Sequence, residues 1–175
     1  MKRLKKDLIL AMLFMLAVNL VATAQISKVE IIATGLTCSM CSNAINKQLK
    51  SLKEVDSVST DLNTNTFTVY LKKENVLKPI VLKEGVEKAG FFVGSMVLST
   101  VFDNVGVQEN QLVKAGHLDY VIVDSKAKTL NGEVKVQVLD KGFVTQKEYK
   151  KLTKSLSKIP SYAMENENDY HIKVL

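Results

Sequence analysis

The 175-residue chain has no tryptophan, two cysteines, two prolines and two histidines. Two cysteines cannot build the disulfide framework of a small secreted scaffold, so they serve a single bridge or a single chemical site. Scarce proline and the lack of any biased block exclude a proline-rich or low-complexity segment. Aromatics make up 6% of the residues. No basic stripe carries the spaced aromatics of a nucleic-acid surface, so nucleic acid is not an expected partner. Half of the formal charge of +6 sits at the very start, where Lys2, Arg3, Lys5 and Lys6 stand against Asp7. What is present is an ordinary globular balance, 46% hydrophobic and 24% charged, sized for one or two small domains.

Residues 1–7 are basic, and Leu8–Ala24 is apolar apart from Asn19 and Thr23. The run is about 17 residues, at the lower edge of what spans a bilayer. It ends in Ala22-Thr23-Ala24, with small residues at positions −3 and −1. That arrangement predicts a secretory signal peptide over 1–24, cleaved after Ala24, rather than a membrane anchor. The mature chain is then expected in the periplasm or secreted, with no membrane association after cleavage.

Both cysteines lie in Gly35-Leu36-Thr37-Cys38-Ser39-Met40-Cys41. An alternating stretch precedes this segment (Val29, Ile31, Ala33), and a helical stripe follows it (Ile45, Leu49, Leu52). The order is strand, thiol loop, helix from about Ser42. Two thiols at this spacing can meet on one soft ion or on each other as a disulfide. A helix N-terminus beside Cys41 favours the thiolate that a metal needs. Gly35 permits the backbone turn into the loop. Met40 reads as an exposed spacer rather than a third ligand, and Lys47, Lys50 and Lys53 as a solvated helix face.

Further along, Val55–Asp61 and Thr66–Leu71 read as a hairpin across Leu62-Asn63-Thr64-Asn65. Pro79 opens a second helix carrying Ile80, Val81, Val86 and Ala89, and Gly90 stops it. Phe91–Leu98 is a last buried strand. Strand, helix, strand, strand, helix, strand is the α+β, ferredoxin-like βαββαβ arrangement, expected over 25–99.

The thiol loop resembles the Gly-Met-Thr-Cys-x-x-Cys loop of heavy-metal-associated domains, the modules of copper chaperones, metal-pumping ATPases and periplasmic mercury-binding proteins. Lys88-Ala89-Gly90-Phe91 is similar to that family's Ala-Gly-Phe before its last strand. Leu36 replaces the usual Met and fills nearly the same volume. The resemblance covers residues 26–99. It implies that Cys38 and Cys41 hold one ion, Cu(I) first and Hg(II), Zn(II) or Cd(II) as others. It also implies that Gly35, Leu36 and Thr37 shape the loop and that Phe91 shields it from below. The partner so implied is another metalloprotein or a metal transporter, exchanging the ion by thiolate substitution without enzymatic chemistry. A thioredoxin-like thiol–disulfide exchanger, or a structural module closed by a disulfide, stays open as an alternative.

Residues 100–175 are expected to form a second small α+β unit, possibly OB-like. Strands are read at His117–Asp124 and Glu133–Leu139, joined as a hairpin through Leu130-Asn131-Gly132, and at Asp169–Leu175. Thr145-Gln146-Lys147-Glu148 is a capping box opening a helix that buries Tyr149, Leu152 and Leu156. His117, His171, Met96 and Met164 read as ordinary core or surface positions, lacking ligand spacing.

Overall fold

The computed structural model describes residues 25–36, 39–163 and 169–175. The expected leader (1–24), Thr37, Cys38 and Met164 lie outside the described residues.

The first unit is the ferredoxin-like sandwich. β1 (Ile26–Thr34) buries Val29, Ile31 and Ala33 at alternate positions, and Ile26, out of step with them, is buried beyond a register shift between Ile26 and Lys28. α1 (Ser39–Lys50) starts three residues before the expected Ser42 and turns Ile45 and Leu49 fully inward. β2 (Val55–Asp61) and β3 (Thr66–Leu71) form the expected hairpin, closed by Asp61, whose carboxylate accepts from the Asn63 amide and the Thr64 hydroxyl at 2.9 Å each. α2 (Pro79–Lys88) has proline in its first turn and ends at Gly90, φ +89°. Its inward stripe is Leu82, Gly85 and Val86, while Ile80, Val81 and Ala89 are only half-buried. Gly85 matters for packing, because a Cβ there would lie 3.4 Å from a methyl of Leu49.

β4 reaches past the Phe91–Leu98 segment read as a strand. It runs without a break from Phe92 to Gly106, 15 residues, straight through the boundary expected after Ser99. Its near edge pairs with β1 and its far edge with β7 (Thr129–Val138). The remaining strands are β5 (Gln111–Ala115), β6 (Leu118–Asp124) and β8 (Asp169–Val174), and the helices are α3 (Gln146–Ser155) and α4 (Pro160–Ala163). All the strands make one sheet in the order β2-β3-β1-β4-β7-β8-β6-β5. The β6–β8 ladder is parallel and the others antiparallel. A single buried cluster extends from Ile45 and Leu82 to Tyr120 and Ile172, with a smaller one (Leu139, Val144, Ile159, Tyr162) beneath α3.

Two expectations for the second half are corrected. Among the described residues no ladder closes β5 back on β4, so the sheet stays open and is not an OB barrel. The hairpin expected through Leu130-Asn131-Gly132 does not form, because those residues lie inside β7 and face β4. Phe102 pairs with Gly132 and Val105 with Leu130, so two residues on β4 oppose one on β7. This is a β-bulge, with Asn104 at φ +48° and Gly132 at φ +74°. Asn-Gly supplies positive φ to a bulge as readily as to a turn. The actual hairpin is β5–β6, turned by Gly116 and His117 between the paired Ala115 and Leu118.

Candidate metal centre

The centre is assembled where β1 leaves the sheet and α1 begins. β1 ends at Thr34, cross-strand from Phe92. Gly35 then turns the chain at φ +87°, a conformation that disfavours any side chain. A Cβ built at Gly35 would lie 3.9 Å from Cδ1 of Phe91, so the Phe91 ring underlies the start of the loop. Leu36 and Phe91 are half-buried and pack against the main core. Cys41 stands in the first turn of α1, half-buried. Next to it Met40 is 81% exposed, which suits a spacer rather than a ligand aimed at a shared ion.

The frame behind Cys41 is rigid. Ser42 is buried, and one turn on, the Asn46 amide donates to the Thr60 hydroxyl at 2.8 Å, pinning α1 to β2. Sequence reading passed over Asn46, since a polar residue amid lysines gives no sign that it faces a strand. Leu49 completes the buried stripe. The thiol therefore sits on a helix whose rotation is set by core packing and one cross-element hydrogen bond.

The other candidate ligands lie elsewhere. Met96 is fully buried in β4. The exposed His117 places Nε2 3.3 Å from the Leu77 carbonyl, at the β5–β6 turn. His171 is 1% exposed in β8: its Nδ1 meets Asp140 at 2.7 Å, its amide donates to the same carboxylate at 2.8 Å, and its Nε2 meets the Ser161 hydroxyl at 2.9 Å. Tyr162 packs edge-on against the ring at 5.0 Å and donates its hydroxyl to the Leu139 carbonyl. Burial and the Asp140 carboxylate both push the Tyr162 phenol up, keeping it a neutral donor. Asp140, His171 and Ser161 thus repeat the connectivity of a hydrolase triad, but in inverted placement. The adjoining cleft of about 400 Å³ is lined by Asp140 and Tyr162, and Ser161 is not among its described lining residues. A nucleophile has to face the substrate. The chain of hydrogen bonds instead braces α4, β8 and the segment after β7. Its members lie 10 and 31 residues apart, beyond any local motif.

Residues 30–92 match the family model of the heavy-metal-associated domain. The chain carries a heavy-metal-associated domain. Solved structures similar to it include the yeast copper transporter domain CCC2A, in apo and Cu(I)-loaded states. That domain is 37% identical over 37% of this chain and 88% of its own, with a TM-score of 0.34. Another is the N-terminal domain of a potential copper-translocating P-type ATPase from Bacillus subtilis in its Cu(I)-loaded state. It is 30% identical over 38% of this chain and 82% of its own, with a TM-score of 0.35. A third is the Atx1–Cu(I)–Ccc2a complex, 37% identical over 37% of this chain and 88% of the matched one, with a TM-score of 0.33. The membership rests on the family match with the β2-β3-β1-β4 order. No curated protein matches the chain. The match to the heavy-metal-associated domain ends at residue 92, and β5–β8, α3 and α4 all lie beyond it.

Proposed function

We propose that this chain is an exported, non-enzymatic carrier or scavenger of one soft metal ion, Cu(I), held between Cys38 and Cys41 and passed to another metalloprotein or metal transporter by thiolate exchange. The observation that carries the reading is the half-exposed Cys41 in the first turn of α1 within a heavy-metal-associated domain. Two thiolates satisfy a soft, two-coordinate ion such as Cu(I) and leave its flanks open to an incoming thiolate from a partner. Each exchange breaks one metal–sulfur bond as another forms, with no change in oxidation state. Hg(II), Zn(II) and Cd(II) compete for the same sulfurs. The basic start, apolar run and Ala22-Thr23-Ala24 support export. Among the described residues no helix is long and apolar enough to cross a membrane.

The thioredoxin-like alternative draws less support from the sheet. A C-x-x-C of that type is expected beside a βαβ unit, whereas β1 and β2, which flank α1, are separated by β3. The test is anaerobic titration of the reduced mature chain with Cu(I). One ion per chain is expected, and Cys41→Ser or Cys38→Ser should abolish tight binding while leaving the circular dichroism spectrum unchanged. Full-strength binding by either serine variant, or a chain that stays bridged and metal-free under reductant, rules the reading out.

A further inference from the structure

A groove built mostly outside the heavy-metal-associated domain opens beside its loop. Thr34 and Phe92, which pair across β1 and β4, stand immediately before Gly35 and immediately after Phe91. Facing them are Gly142, Val144, Thr145 and Tyr149, and the walls enclose about 650 Å³. The approach is close: a Cβ placed on Gly94 of β4 would lie 3.7 Å from the Thr145 methyl. Val93 in the floor is buried, yet Phe92 beside it is 68% exposed, a large ring left uncovered on the wall. Ile32, on the same outward face of β1 as Thr34, is 42% exposed.

The rim of this groove is cationic. α3 carries Lys147, Lys150, Lys151 and Lys154 against Glu148 alone, and Lys150 lines the groove. All four lysines are exposed, and none takes part in the ion pairs found among the described residues. The carboxylate on the groove wall, Glu87, is already engaged by Lys83 at 3.3 Å. A lysine-bearing helix alone is a solvated surface. A lysine rim over an uncovered aromatic ring is a surface shaped for an acidic segment with an apolar side chain at its centre.

We propose that this groove docks the metal-exchange partner through such an acidic, apolar-centred segment, so that residues beyond the family domain select the partner. This rests on the carrier reading above. The apolar side chain lies against Phe92, Val93 and Tyr149, and a flanking carboxylate meets Lys150 on the wall. Because Thr34 runs directly into Gly35, a partner seated here is held beside the strand that delivers the thiol loop.

The test uses the isotope-labelled mature chain and two short synthetic peptides, one with aspartate and glutamate around a central phenylalanine, the other with lysine in place of the acids. The acidic peptide is expected to shift the amide signals of Phe92, Val93 and residues 145–150. Its affinity should fall about tenfold in Lys150→Glu, and again on raising ionic strength from about 0.05 to about 0.5 M. Phe92→Ala should weaken it without changing the salt dependence, and the lysine peptide should leave the groove signals unmoved. The proposal is overturned if the acidic peptide leaves those amides unshifted, or if the charge-reversed chain binds it equally well. It is also overturned if the same amides shift with protein concentration alone, which assigns the groove to a second copy. Cu(I) titration of the same variants separates the two readings. Retained Cu(I) binding with no groove response rejects only the docking surface, whereas lost Cu(I) binding in the unmodified chain rejects the carrier itself.

Discussion

Around the loop, single residues decide how closely elements approach. Gly94 is buried in β4, and a Cβ there would come within 2.6 Å of the Thr34 Cγ2 and 3.4 Å of the Ile32 carbonyl oxygen. Gly94→Ala should therefore destabilise the fold by about 1–3 kcal/mol, the usual cost of overpacking. Thr34→Ser in the same chain removes the clashing methyl and should recover most of that loss, as read from urea midpoints of the single and double variants. Equal midpoints for the two would mean that β1 yields at Ile32 instead. The segment from Gly35 to Cys41 could be located in the chain because its residues are contiguous, and Phe91 through the likeness of Lys88-Ala89-Gly90-Phe91 to the family's Ala-Gly-Phe. Asn46 and Asp140 could not be, since each acts through a partner on a distant element.

Elements whose signals are local came out as their residues suggested. The hairpin of β2 and β3, the proline start and glycine stop of α2, and the capping box of α3 all depend on neighbours within a few positions. Thr145 accepts from the Glu148 amide at 3.2 Å, the bond that the Thr-x-x-Glu spacing implies. Thr145→Ala should cost about 1 kcal/mol and Thr145→Ser much less. Faster amide exchange confined to α3, with Cu(I) affinity unchanged, would be the signature. Strand partnership in the second half was misread because it is not local. Asn131-Gly132 carries the chemistry of a turn, and only the facing β4 shows that its positive φ serves a bulge. β4 runs on past Ser99 for a related reason. Thr100 and Phe102 are buried like the residues before them, but their cover comes from strands later in the chain.

At the scale of the molecule, β4 is shared property. It completes the heavy-metal-associated domain on one edge and starts the second half on the other, so neither side loses it without breaking a ladder. A side-chain tie crosses the same strand: Lys135 of β7 reaches Glu30 of β1 at 3.0 Å. That contact, with help from Lys28, holds the Glu30 carboxyl below its ordinary range of about 4.5. A depressed carboxylate stabilises the fold above the unfolded-state value and loses that contribution as pH falls through the folded one. The Lys135 and Glu30 side chains are 49% and 30% exposed, so solvent screening keeps the effect well under about 1 kcal/mol. Lys135→Met should raise the Glu30 midpoint seen by carboxyl NMR and flatten the stability profile only below about pH 5. The shared strand and continuous core make a larger demand, that the two halves unfold together. In calorimetry the chain from Gln25 onward should give one transition with equal van't Hoff and calorimetric enthalpies. Urea curves followed at Tyr170 in β8 and at Phe67 in β3 should coincide, although the two residues belong to different halves. Two separable transitions would mean that the long strand can be shed by one partner, and that the groove between α3 and the metal loop opens before the loop itself does.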